Sequence, residues 1–222
     1  MARITYSANI EDVRGKLGHA VHTKARSGKT LRGTAVPKRK ATPAQTLQRS
    51  RMGRAAKAYK ALTAPQLALW KAYAATLTKT DPVTGKHYTP APGTVFNALV
   101  SKYQQVNTSP LFPPPPPTTP FAGDALAFVL SPDVGALYLT STNANRADTI
   151  TEFWLQSLGS EARRPSTTRY LQAGLIVFTE DDLTTSLSLA PGWYSVAVSY
   201  VRLSTGQKTP RIALSTLKIP SA

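Results

Sequence analysis

The chain has 222 residues, with 27 Lys and Arg, 11 Asp and Glu and no cysteine, giving a formal net charge of +16. The lack of cysteine excludes structural disulfides and cysteine-ligated metal, so folding rests on packing alone. No run approaches the ~18 apolar residues of a membrane-spanning helix, and a hydrophobic content of 41% argues against wholesale disorder.

The charge is unevenly placed. Residues 1–110 carry 19 Lys and Arg against 3 acids, and residues 111–222 carry 8 against 8. From Val13 to Thr80 there is no Asp or Glu at all. Unneutralised like charge repels itself and opposes compaction, so this half is expected to meet a polyanionic or acidic partner. The opening Met1-Ala-Arg-Ile-Thr-Tyr has no apolar signal core, so synthesis in the cytoplasm is expected.

Residues 3–41 lack helical periodicity and read as an extended basic arm. Within it, Ala20–Lys24 and Lys29–Ala35 are expected to pair as a two-stranded ribbon turning at Ser27-Gly28, where glycine supplies the positive φ of a tight turn. Gly15 and Gly18 suit close backbone approaches. Thr42-Pro43-Ala44-Gln45 then starts a helix: Thr42 caps, Pro43 fits the first turn, and Gln45 reaches back as in a capping box. This helix should run to about Leu62, with Met52, Ala55, Ala56 and Tyr59 inward and Arg49, Arg54, Lys57 and Lys60 opposite. Thr63-Ala64-Pro65-Gln66 repeats the signal ahead of a second apolar stripe, Leu67, Trp70, Tyr73, Ala74 and Leu77, and predicts a helical hairpin. Asp81–Gly85 reads as a turn. A third helix is expected from Thr94 to about Gln105, with Phe96, Leu99, Val100 and Tyr103 inward.

Ser109–Phe121 holds five consecutive prolines, Pro113 to Pro117, with Pro110 and Pro120 around them. Such a run favours polyproline II and reads as a stiff spacer. Beyond it, short β-rich runs follow at Ala127–Ser131, Ala136–Ser141, Thr149–Ser157, Tyr170–Phe178, Thr184–Leu189, Tyr194–Leu203 and Arg211–Ile219. Turn residues separate them, notably Ser131-Pro132-Asp133, Ala190-Pro191-Gly192 and Ser204-Thr205-Gly206. This spacing predicts an antiparallel sandwich. In Tyr194–Tyr200 the alternation sets Val196 and Val198 with the two tyrosines on one face and Ser195, Ala197 and Ser199 on the other, as in a sheet with one buried face. The whole is therefore expected to be α+β: a basic arm over 1–41, a helical segment over 42–108, a proline-rich linker over 109–121 and a β-sandwich over 122–222.

Two resemblances bear on this plan. The run Leu189-Ala190-Pro191-Gly192-Trp193-Tyr194-Ser195-Val196-Ala197-Val198, with Ser204-Thr205-Gly206 after it, resembles the late strands of a fibronectin type III-like, immunoglobulin-like domain. Residues 14–104 resemble an uncharacterised group of structural proteins encoded in tailed phages and prophages. The residues that carry this are Gly15-Lys16-Leu17-Gly18, Arg32, Thr42-Pro43-Ala44-Gln45, Arg49, Leu62-Thr63, Gln66, Trp70, Tyr73-Ala74 and Phe96-Asn97. The second resemblance implies a virion-associated role and brings no catalytic residues with it.

The catalytic and metal-binding motifs in the sequence are incomplete. Ser27-Gly28-Lys29-Thr30 mimics the end of a P-loop, but the full motif needs glycine where Thr23 stands. His19 and His22 lack a nearby carboxylate in sequence to orient them as base or zinc ligand. Glu180-Asp181-Asp182 reads as a solvated loop rather than a cation site. No serine sits in a nucleophile elbow. The expectation is a non-enzymatic protein with no cofactor and no metal. Its partner-binding residues would be Lys24, Arg26, Lys29, Arg32, Lys38, Arg39, Lys40, Arg49, Arg54 and Lys57. They would meet acidic surfaces of capsid or head-tail connector subunits, or packaged DNA, in a multi-copy symmetric assembly, with the sandwich as a decoration or attachment domain. The alternative is a sequence-nonspecific nucleic-acid-binding protein with an accessory sandwich. Trp70, Tyr59 and Tyr73 fall on core stripes, so base-stacking platforms are not expected from them.

Overall fold

The computed structural model describes residues 2–3, 15–17, 20–25, 28–33, 40–81, 85–107 and 112–221. The chain divides into two compact units, Met1–Thr46 and Leu47–Ala222.

In the first unit, the expected ribbon is present as β3 (Ala20–Ala25) and β4 (Gly28–Gly33), with Ala25 opposite Gly28 at the turn end. Ser27 and Ala35 lie outside the described residues. The ribbon is wider than the two strands expected. β1 (Ala2–Arg3) pairs with β4, and β2 (Gly15–Leu17) pairs with β3, so the order is β1-β4-β3-β2. A two-stranded hairpin is marginal in water, and flanking strands supply the backbone partners it lacks.

Helix α1 (Pro43–Lys60) opens at the predicted box: Thr42 N–H donates to Gln45 Oε1 at 3.1 Å, and Gln45 N–H donates to Thr42 Oγ1 at 3.3 Å. Helix α2 (Ala64–Ala75) repeats it, with Thr63 N–H donating to Gln66 Oε1 at 3.0 Å. Helix α3 (Pro92–Val106) begins two residues before the expected Thr94. The three share a core of Ala55, Trp70, Ala74, Val95, Phe96 and Val100. Trp70 meets Phe96 edge-on at 4.8 Å, and Tyr59 meets Phe96 at 5.2 Å. Met52 departs from its expected inward place and is 52% exposed. Ala55 and Tyr59 take the contacts to the core and leave Met52 at its margin. Between α2 and α3, β5 (Lys79–Thr80) and β6 (His87–Tyr88) pair as a short hairpin that the sequence pattern did not predict.

All seven expected strands of the C-terminal half form. One sheet has the order β11-β8-β7: β7 is Phe128–Asp133, β8 Ala136–Ser141 and β11 Thr184–Ser188. The other has the order β10-β9-β12-β13: β9 is Thr149–Leu158, β10 Leu171–Ile176, β12 Gly192–Arg202 and β13 Ile212–Ile219. Every strand pair is antiparallel. Leu137 and Leu139 from one sheet and Phe153, Val196, Val198 and Ile219 from the other share one core, an arrangement consistent with a β-sandwich.

Two details differ from expectation. Ser131-Pro132-Asp133 is not the turn but the end of β7; the reversal comes at Val134-Gly135, with Gly135 at φ +73°. Pro132 is tolerated because β7 is an edge strand, where a missing N–H is not needed. The outer face of β12 is not solvated: Ser195 is 2%, Ala197 1% and Ser199 0% exposed. Part of the cover comes from the helical segment, whose Lys102 bonds Glu152 beside Ser199. Its residues, expected on the far side of a spacer, touch the sheets directly. Asn107 Nδ2 donates to the Leu203 carbonyl at 2.6 Å. At Gly206 an added Cβ would lie 2.2 Å from the Leu99 carbonyl oxygen and 2.7 Å from the Tyr103 nitrogen. The proline run is itself packed, with Pro114 and Pro117 buried. Just after it, the Thr119 carbonyl accepts from Gln207 Nε2 at 3.2 Å.

Candidate partner-binding surface

The clearest basic surface among the described residues is one face of α1. At 100° per residue, Arg49, Lys60, Lys57 and Arg54 fall within an arc of about 140°, and Ala55 and Tyr59 fall outside it. Arg49, Arg54, Lys57 and Lys60 are all exposed. The helix contains no acid, and Lys57 and Lys60 occupy its last turn, where the helix dipole favours cations. Among the described residues, no carboxylate pairs with Lys40, Arg49, Arg54 or Lys57. The ion pairs present there, Lys102–Glu152, Lys208–Glu152, Arg146–Asp124 and Arg202–Asp148, spend their acids on other cations. Arg54 lies over the Phe112 ring at 5.5 Å. Beside it, Arg54, Lys57, Ala58, Leu62, Phe112 and Pro113 surround a shallow groove of about 410 Å³.

The other expected partner residues distribute as follows. Lys24, Lys29 and Arg32 stand in β3 and β4, where Lys24 is directly opposite Lys29. Lys40 precedes α1 and is exposed. Arg26, Lys38 and Arg39 lie outside the described residues, as do Gly18 and His19. The structure thus brings Arg49, Arg54 and Lys57 together on one face, with Lys60 as a fourth member. Trp70 is 1% exposed, and Tyr59 and Tyr73 pack on the same helical core, as their stripe positions indicated.

A second constellation was not anticipated. Glu152 is completely buried in β9, between the two lysines. Lys102 of α3 bonds its Oε1, Lys208 approaches Oε2 at 2.9 Å, and Ser199 Oγ donates to Oε2 at 3.1 Å. Trp154 Nε1 donates to Ser199 Oγ at 2.9 Å, while Lys208 and Arg211 cover the Trp154 ring at 4.1 and 4.8 Å. Burial pushes the Lys102 ammonium below its ordinary pKa, against the raising influence of Glu152. A lone acid within the strand Thr149-Ile-Thr-Glu-Phe-Trp-Leu was the available signal, because a carboxylate in such a place needs a partner. The partner, however, sits 50 residues away.

Among the described residues, no group of three His, Asp or Glu side chains is placed to hold a metal ion, and no helix is long and apolar enough to cross a membrane. No known family and no curated protein matches this chain.

Proposed function

We propose that this protein is a structural component of a tailed-phage particle, present in multiple copies in a symmetric assembly within the virion. Its basic N-terminal half anchors to acidic surfaces of capsid or connector subunits, or to packaged DNA. The single observation that carries the reading is the exposed arc of Arg49, Arg54, Lys57 and Lys60, none with a carboxylate partner among the described residues. Like charges gathered on one face without a carboxylate repel one another and attract an anionic partner. The resemblance of residues 14–104 to tailed-phage structural proteins supports the setting. The role is non-enzymatic.

The C-terminal half we read as a fibronectin type III-like decoration or attachment domain. Two features support that finer reading. The sheets combine three strands and four, with the first, second and fifth in one and the third, fourth, sixth and seventh in the other. Tyr194 Oη, near the start of the sixth strand, donates to the Ala190 carbonyl at 3.0 Å, like the tyrosine corner of such domains.

Mass spectrometry of purified particles from the source tests the role: the chain is expected at a copy number that fits the particle's symmetry. Its absence from particles overturns the reading. Binding of the free protein to duplex DNA tests the alternative. Sequence-blind binding that falls about 10³–10⁵-fold between 50 and 200 mM salt, without incorporation into particles, would mark a nucleic-acid-binding protein instead.

A further inference from the structure

A second surface of the helical segment differs in kind from the cationic face. A groove of about 860 Å³ opens between α1, α2, α3 and the turn after β12. That is the size of a ligand-binding pocket. The apolar part of its wall comes from Tyr73 of α2, Leu77 just after it, Leu99 of α3 and the half-exposed Met52 of α1. Met52 lies on the arc of α1 away from Arg54 and Lys57, so this groove is separate from the cationic face.

Two polar atoms on the α3 side distinguish it from a packing defect. Asn97 Oδ1 and Ser101 Oγ are both buried, and neither has a hydrogen-bond partner. Both residues line the groove, and Ser101 is only 7% exposed. Buried polar atoms left unpaired are costly and rare, so something outside the chain is expected to satisfy them. Asn97 Oδ1 only accepts, so its partner must donate. The two residues are one helical turn apart, about 6 Å along the axis. An extended polypeptide presents N–H groups on one edge at nearly that interval, two residues at ~3.3 Å each. The charge is also one-sided. No Asp or Glu lines the groove, while Lys79, Lys102 and Lys208 do. Lys102 and Lys208 share the single carboxylate of Glu152, and Lys79 is exposed with no carboxylate partner among the described residues.

We infer that this groove binds an extended, acidic segment of a partner protein, with one apolar side chain between Met52, Leu77 and Leu99. The segment's backbone N–H groups bond to Asn97 Oδ1 and Ser101 Oγ, and a carboxylate meets Lys79. The inference does not require that the partner be a virion subunit.

The test is selection from a random heptapeptide library on the full-length protein, followed by affinity measurement on the enriched peptides. The expected consensus combines Asp or Glu with Leu, Phe or Met. The double variant Asn97→Leu, Ser101→Ala removes the unpaired atoms without removing a bond, so it should fold at least as stably as the parent while binding the peptides at least tenfold more weakly. Lys79→Glu should weaken them about tenfold with no loss of stability. Laurate, an apolar anion without amides, should not displace the peptides at equal concentration. The inference is overturned by failure to enrich any sequence, by a basic or uncharged consensus, or by undiminished affinity in the double variant. Displacement by laurate would mean a site for amphiphilic anions in place of a peptide site.

Discussion

Gly206 has two reasons to be glycine, and they separate experimentally. Its φ is +74°, and a Cβ would sit 2.2 Å from the Leu99 carbonyl oxygen, which is backbone and has nowhere to go. Gly135 has almost the same φ, +73°, but nothing within 4 Å. Gly135→Ala should therefore cost only the left-handed backbone penalty, about 1 kcal/mol. Gly206→Ala should cost clearly more, at least about 2–3 kcal/mol, because α3 must also lift from the turn. Urea midpoints at constant m-value measure the difference. A second residue sets an alkaline limit. Tyr200 is 3% exposed and donates to the Leu126 carbonyl at 3.3 Å; burial raises its phenol above the ordinary value of 10.0. Above pH 10.0 the unfolded chain sheds this proton before the folded one does. Stability then falls with rising pH, by at most about 1.4 kcal/mol per pH unit. Lys102 acts in the opposite sense. Its lowered pKa makes stability rise toward pH 10.5, but it does so equally in both proteins. Tyr200→Phe should thus lose about 1 kcal/mol at neutral pH and show a shallower alkaline decline than the parent. Parallel declines in the two proteins would contradict the assignment.

At the scale of elements, the outcome turns on how α3 meets β9 and β12. One carboxylate, Glu152, holds Lys102 of α3, Lys208 and Ser199 within a buried cluster. Breaking a buried pair from one side strands the other charge, so Glu152→Gln should destabilise by about 3–5 kcal/mol. Adding Lys102→Met should return much of that loss. Because α3 carries the Phe96 core at one end and this cluster toward the other, the loss should appear at the same denaturant concentration by near-UV circular dichroism and by far-UV helix signal. Two separated transitions would mean that helices and sheets fold independently.

The same junction marks the limit of what the sequence makes legible. Thr42-x-x-Gln45 and Thr63-x-x-Gln66 announced their helices because a capping box is local chemistry. The seven strands were legible because each alternating run is bounded by turn residues. β1, β2, β5 and β6 were not, since two or three residues carry no period. The buried outer face of β12 was also hidden: Ser195, Ala197 and Ser199 alternate as if solvated, and only a distant helix and neighbouring strands cover them. The cationic arc of α1 could be read from spacing alone. The groove could not, because Asn97 and Ser101 fall beside the predicted α3 stripe and carry no signal of their own, and the lack of a bonding partner is a three-dimensional fact.

For the whole molecule, the governing quantity is the charge division between residues 1–110 and 111–222, 19 cations against 3 acids in one part and 8 against 8 in the other. Of the neutral part's eight acids, Asp124 and Asp148 pair within it and Glu152 is shared between Lys102 and Lys208, so these three are not free for α1. The proposed role supplies neutralisation from outside the chain, and under it the cations concerned should be reactive when free and shielded when assembled. Lysine acylation read by mass spectrometry, on the purified protein and on native particles, measures this most directly. The account predicts that Lys40, Lys57 and Lys60 are modified readily in the free protein and protected at least tenfold in particles, while exposed Lys218 on β13 reacts in both. Equal reactivity of Lys57 and Lys60 in the two states, in particles that contain the chain, would contradict it.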